Sequence, residues 1–369
     1  DVVVVGGGNA ALCAALAARE GGARVLVLEK APEPQRGGNS FFTAGGFRFV
    51  HTGLEDLRKD VIPDLTPGET ASVEINSYTE ENFYDDLTRL TENLTDPDLA
   101  DLLVTRSRPT VIWMRSQGVR WILMLSRQSY KVGDKHRFWG GLSVEAVGGG
   151  PGLVQALYDR AVAVGIEIRY ETKATRLLLN DRGAIRGLVC RGPEGFAEIE
   201  TRAAVLASGG FEANPEWRTR YLGQDWELAR VRGTRHNTGD GIRMALEIGA
   251  QPYGHWSGCH AVAWDLNAPP FGDRRVGDLF QKHSYPLGLI VNLKGGKGKP
   301  KVVEVAPLLP LIKGAQFRSE HLLNPVDADV RMTREPGVID DEWPALNSQN
   351  GKMLACVDFD LEPHRLDRP

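Results

Sequence analysis

The sequence predicts an α/β fold: a mixed or parallel sheet with a helical layer and a β-meander beside it, followed by an α+β capping domain. Three observations predict it. A β-branched run, "DVVVV", passes through glycines directly into a small-residue helix and a second apolar strand, "ARVLVLEK". A glycine-led helical stretch, "GGGPGLVQALYDRAVAVG", is followed by short strands separated by the turn sequences "NDRG" and "GPEG". After about Ala261 prolines become frequent and periodicity fades, as in "LKGGKGKPKVVEV" and "APLLPLIKG".

Between these landmarks each element has a local reason. Pro and Gly punctuate "APEPQRGGNS", an irregular stretch that leads to "FFTAGGFRF". From about Tyr78 to Gly118 the pattern is helical, with Asp96 as a cap, Pro97 in the first turn and Gly118 as the stop. The runs "IEIRYETKATRLLLN", "GAIRGLVCRG" and "FAEIETRAAVLASGGF" read as the meander strands, and "TGDGIRMALEIGA" as a closing helix. The expected division is residues 1–260 for the nucleotide-binding domain and 261–369 for the cap.

At 369 residues the chain exceeds the roughly 250–300 at which single cores stop growing, which favours two domains. The formal net charge of -4 offers no general attraction to nucleic acid, so anionic ligands must be met by local cations. Four scattered cysteines (Cys13, Cys190, Cys259, Cys356) form no CxxC pair. This spacing predicts no metal site or disulfide framework and suits a cytoplasmic location. No apolar run approaches the roughly 20 residues that span a bilayer. There is no signal-peptide pattern; the chain opens at Asp1 inside a strand without an initiator Met, as expected if something upstream is left out.

The chemistry is carried by four glycine-rich corners. Gly6, Gly8 and Ala11 make a GxGxxA fingerprint in which the backbone approaches a pyrophosphate. Asn9 and Ala10 then present the amides of a helix N-terminus. Glu29 ends the next strand about 20 residues beyond Gly8, where an acid meets ribose hydroxyls, with Lys30 beside it. "RGGNSFFTAGGF" places Gly38, Asn39, Ser40, Thr43, Gly45 and Gly46 in a side-chain-poor, donor-rich stretch that suits a flat isoalloxazine ring. Ala207, Ser208 and Gly209 end a strand in "LASGGF", and Thr238 and Asp240 sit in the "TGDG" turn that opens a helix. Ala174, in the first meander strand, joins this candidate cofactor set.

In that order the four corners resemble the flavoprotein family of succinate dehydrogenase and fumarate reductase, over residues 1 to about 260. Within it, "GGGNAALCAALAARE" and "NSFFTAGGFRF" look most like the tricarballylate dehydrogenase branch. The resemblance implies a Rossmann-like FAD-binding domain with a β-meander and a substrate cap. It also implies FAD-dependent oxidation or reduction of a CH–CH bond beside a carboxylate of a small di- or tricarboxylate, with tricarballylate to cis-aconitate the favoured reaction. Covalently flavinylated members carry a His at the position that precedes Gly45 by six residues; Asn39 stands there, which implies non-covalent FAD. His260 in "HWSGCHAV" matches the family's substrate-binding His, though its following Pro and Thr are replaced by Ala261 and Val262. Arg318 in "GAQFRS" is the candidate proton-transfer group, although the upstream "GKGKPKVVEV" lacks the family's Arg and Phe.

The family's electron traffic implies a partner, either an electron-acceptor protein or a quinone-linked membrane component. Nothing after "HRLDRP" supplies the family's closing glycine-rich block, so an incomplete C-terminal return to the FAD domain is expected. Four alternatives stay open: a fumarate-reductase-type flavin dehydrogenase, a 3-ketosteroid-type dehydrogenase using Tyr253, Trp256 and Trp264, a nicotinamide dehydrogenase without flavin, and a non-catalytic flavoprotein.

Overall fold

The structure, a computed structural model, describes residues 1–265, 267–277 and 279–280, with backbone alone for residues 261–263 and for three later strands. The β-branched run forms β1 (Val2–Val5), and the chain turns at Gly6–Gly8 into α1 (Asn9–Glu20). On α1, Ala11, Leu12, Ala15 and Leu16 share one buried face at helical spacing. β2 (Val25–Leu28) then pairs parallel to β1. β3 (Gly46–Phe47), the short turns α2 (Leu54–Asp56) and α3 (Pro67–Ala71), and β4 (Val73–Glu74) lead to α4 (Glu80–Leu90) and α5 (Pro97–Ser116).

The helical stretch predicted over 78–118 is therefore two helices, parted where Glu92 and Asn93 take positive φ. The start of α5 follows the sequence: the Asp96 carboxylate accepts from the Leu99 amide at 2.9 Å, and Pro97 occupies the first turn. Next come β5 (Trp121–Leu123), α6 (Leu125–Gln128), the hairpin β6 (Ser129–Val132) and β7 (Lys135–Phe138), β8 (Val144–Ala146) and α7 (Gly149–Ala163). β9 (Glu167–Arg169), β10 (Lys173–Leu179), β11 (Ile185–Gly192), β12 (Gly195–Glu200) and β13 (Ala203–Leu206) precede α8 (Pro215–Leu222) and α9 (Asp240–Glu247). The later strands are β14 (His260–Asp265), β15 (Gly288–Asn292), β16 (Val303–Pro307) and β17 (Lys352–Asp358).

The central sheet is parallel, in the order β13-β1-β2-β9, and the meander β10-β11-β12 is antiparallel. Two of the strand-like runs divide between these sheets. β9 joins the parallel sheet and β10 opens the meander, because Glu171 takes a φ of 51° between them. β12 ends the meander and β13 returns to the parallel sheet. Between them the Thr201 hydroxyl and the Arg202 and Ala203 amides all donate to the Asp1 carbonyl.

Strand alternation sends neighbouring valines to opposite layers. Val4 and Val27 pack towards α1 and α7, with Leu12, Leu16, Leu153 and Leu157. Val3, Val5 and Leu28 pack towards the meander and α9, with Leu177, Leu188 and Met244. Each such fully buried side chain contributes about 1.5–3 kcal/mol of hydrophobic stabilisation.

The remaining described sheets have the orders β3-β8-β5, β4-β7-β6 and β14-β17-β16-β15. The expected division at residue 260 is crossed by later chain. The Val231 amide donates to Pro270 O at 3.0 Å, and the Gly272 amide donates to Gly233 O at 2.8 Å. Arg274 donates to Arg36 O at 2.9 Å, with its guanidinium 3.3 Å from the centre of the Phe41 ring. Residues 270–274 thus lie on the nucleotide-binding half.

Candidate functional site

The ends of β1, β2 and β13, the start of α1 and the Gly38–Ser40 turn enclose one cleft, the place where parallel α/β sheets receive ligands. Its glycine corner is built by close approach. A β-carbon on Gly6 would stand 2.3 Å from Ala207 O, and one on Gly7 would stand 2.3 Å from the Tyr158 hydroxyl. That hydroxyl donates to Gly7 O at 2.9 Å. Gly8 caps α1 without a side-chain acceptor, and no acidic residue occupies the first turn. The Asn9 amide donates to Ser40 Oγ at 3.0 Å. A helix N-terminus left in this state favours an anion.

Glu29 is buried beside this turn, and its Oε1 accepts from the Ala31 amide at 2.7 Å. Burial pushes its carboxyl up from the usual range, opposed by amide contacts from Ala31, Gly7 and Lys30 and by the Lys30 charge. Lys30 donates to Thr238 Oγ1 at 2.7 Å and to Asp240 Oδ2 at 2.5 Å, while Lys173 meets Asp240 Oδ1 at 2.7 Å. Burial alone would raise the Asp240 carboxyl; the two lysines override it and hold the group at about 2. Asn39 Oδ1 accepts from the Thr234 amide at 2.9 Å, tying the glycine turn to the opposite wall.

Of the residues singled out in the sequence, Gly6, Gly8, Asn9, Ala10, Glu29, Lys30, Gly38, Asn39, Ser40, Ala174, Ala207, Ser208, Gly209 and Asp240 line the cleft. Thr238 stands behind that lining, donating to Asp240 Oδ2 at 2.8 Å. Thr43, Gly45 and Gly46 are not among the lining residues. The Gly45 amide donates to Thr43 Oγ1 at 2.6 Å, and a β-carbon on Gly45 would stand 2.7 Å from Gly149 C. One on Gly46 would stand 2.8 Å from Met124 Sδ, so this pair packs protein against protein.

His260 is half-buried at the start of β14, outside the lining, and Arg318 lies outside the described residues. Tyr253 is exposed and donates to Asp96 Oδ2 at 2.8 Å. Trp256 packs on Tyr221 and Trp264 is buried against Phe280, so the three aromatics do not line the cleft. The sequence reading missed Val5, Gly7, Leu28, Ala31, Thr172, Lys173, Thr234, His236 and Asn237 as lining residues. Gly7 could have been found inside the fingerprint and Lys173 beside Ala174. The stretch "TRHN" carries no motif beyond its place before TGDG.

The family described as "FAD binding domain" matches residues 1–265. The chain belongs to this FAD-binding family. It is 33% identical over 252 residues to a fumarate reductase (cytochrome) of Shewanella frigidimarina, a match covering 68% of this chain and 40% of that protein. A urocanate reductase of Eggerthella lenta is 29% identical over 260 residues, covering 68% and 38%. The open conformation of a flavocytochrome c3 fumarate reductase superposes with a TM-score of 0.58 at 27% identity, over 79% of this chain and 46% of that one. A 3-ketosteroid dehydrogenase from Rhodococcus jostii, at 21% identity and a TM-score of 0.60, shares the fold. The chain spans about two fifths of the length of the curated fumarate reductase it matches.

The flavoprotein's own residues fit the cofactor. Bare backbone at Gly6–Gly8, a helix start whose N-cap Gly8 offers no side chain, and the Glu29 acceptor converge on one cleft, the groups that a dinucleotide requires.

Proposed function

We propose that this flavoprotein serves an enzyme that oxidises or reduces a carbon–carbon bond beside a carboxylate of a small di- or tricarboxylate. The observation that carries the reading is the cleft where Gly6–Gly8, Gly38–Ser40 and Ala207–Gly209 meet beside Glu29. The fumarate and urocanate named for two relatives both hold a double bond next to a carboxylate. In this reading the α1 amides face the pyrophosphate, Glu29 faces the ribose, and Asn39, which cannot form a histidyl link, leaves FAD non-covalent. When bound, FAD supplies the two-electron redox chemistry.

The finer reading is tricarballylate going to cis-aconitate, supported by "GGGNAALCAALAARE" and "NSFFTAGGFRF". His260 then anchors a substrate carboxylate, and Arg318 moves the proton alpha to one carboxylate. Electrons are exchanged with a protein acceptor or a quinone-linked membrane component. Among the described residues no helix is long and apolar enough to cross a membrane.

The test is anaerobic. Tricarballylate should bleach the yellow holoprotein, whereas fumarate should reoxidise it after chemical reduction if the chain works in the reductive direction. A holoprotein that answers neither compound, yet bleaches with a 3-ketosteroid, contradicts the carboxylate reading.

A further inference from the structure

Behind the cleft wall lies an acid that none of the chemistry above uses. Residues 209–214 and 237–239 run side by side. The Ala213 amide donates to Asn237 O at 2.8 Å, the Gly239 amide to Gly210 O at 3.0 Å, and Asn214 Nδ2 to Thr238 O at 3.2 Å. Between them sits the Glu212 side chain, only 4% exposed. Its carboxyl accepts from the Asn237 side chain, and Oε2 is buried with no hydrogen-bond partner. A β-carbon on Gly210 would stand 2.9 Å from Glu212 Oε1, and one on Gly209 would stand 2.5 Å from Asn237 Nδ2. The carboxyl is therefore packed against Gly210 and Asn237, and Asn237 in turn against Gly209; Asn237 and Gly209 line the cleft.

An ionised carboxylate with a bare, buried oxygen is costly, whereas the neutral acid is far less so. We propose that Glu212 is a positioning residue: as a neutral acid it holds Asn237 and the Gly209–Gly210 turn in the geometry that receives FAD, and on losing its proton it loosens that wall. The inference rests on FAD occupying this cleft.

Burial pushes the Glu212 carboxyl up to about 7, against contacts from its own amide and Asn237. Other charged groups stand around it. On α8, Arg218 donates to the carbonyls of Glu212, Trp226, Glu227 and Ala229. On the facing segment, burial, Lys30 and Arg235 push His236 down from its ordinary value, and Asp240 is held at about 2. Burial pushes Lys30 down from its ordinary value, opposed by Asp240, and the Glu212→Gln variant separates any Lys30 contribution from that of Glu212.

The experiment is an FAD titration of the apoprotein, followed by flavin fluorescence quenching between pH 6 and 8. The wild type should bind up to about tenfold more weakly at pH 8 than at pH 6. Glu212→Gln should match the pH 6 affinity and show a flat profile. Should Glu212→Gln not fold, Asn237→Ala serves instead; loss of that donor should move the midpoint of the wild-type profile to higher pH. FAD binding with the same pH profile in the wild type and the variant overturns this inference alone. Absence of FAD binding by the wild type at every pH overturns both it and the flavoprotein cleft on which it rests.

Discussion

Gly8 and Gly38 on the cleft, and Gly150 and Gly152 in α7, are the same residue put to opposite uses. A β-carbon on Gly38 would meet nothing nearer than 3.9 Å, and one on Gly8 would stand 3.3 Å from the Ser40 hydroxyl, a side-chain atom, and 3.6 Å from Gly37 O. Gly38 leaves space open, and Gly8 leaves room that a small shift of the Ser40 side chain would complete. On Gly150 the added atom would stand 2.4 Å from Ser40 O, and on Gly152 it would stand 1.8 Å from Val147 O. Those glycines have already spent their space on protein. Glycine richness in a sequence therefore marks close approach without saying what approaches.

The sharpest way to break the comparison is Gly150→Ala. Forcing a methyl against three carbonyls should destabilise the fold by about 3 kcal/mol, the upper end for overpacking, and urea unfolding would show it. Unchanged stability would mean that α7 does not need its glycine.

Asp240→Asn comes next, on the charged side of the cleft. The Asp240 carboxyl lies at about 2 against an ordinary 3.8, so it contributes about 2 kcal/mol at neutral pH. The sign follows from a depressed folded value: the contribution is fully present above about pH 4 and fades as pH falls through about 2. Unfolding of wild type and variant should differ at pH 7 and converge near pH 2.

Gly8→Ala should do the reverse of Gly150→Ala. Its backbone, at a φ of -86°, accepts alanine, so stability should stay within about 1 kcal/mol. FAD affinity should fall by at least about tenfold, near 1.4 kcal/mol. The smallest effect is expected from Tyr158→Phe, which leaves Gly7 O without its donor at a cost of about 1 kcal/mol in unfolding experiments.

What was legible in the sequence was local. The GxGxxA turn, Glu29, "LASGG" and "TGDG" each carry their chemistry within a few residues, and each has residues on one cleft. Asp96 capping α5 was legible for the same reason. What was not legible depends on partners far along the chain. Gly45 looks like Gly38 until α7 is seen to press on it. The division of two strand-like runs between sheets is set by Glu171 and by the Asp1 carbonyl, neither of which alters hydrophobic patterning. The 270–274 segment and the wall at Thr234–Asn237 have no periodicity to announce them. Glu212 in "GGFEAN" reads as an ordinary surface acid, because its burial arises from two segments more than 20 residues apart.

The most direct test of the cofactor cleft is titration of the apoprotein with FAD, followed by acid precipitation of the saturated complex. Saturation at one FAD per chain, with the yellow colour leaving into the supernatant, is the predicted result. No saturable binding, or colour that stays with the precipitated protein, would contradict a non-covalent FAD held by these glycine corners.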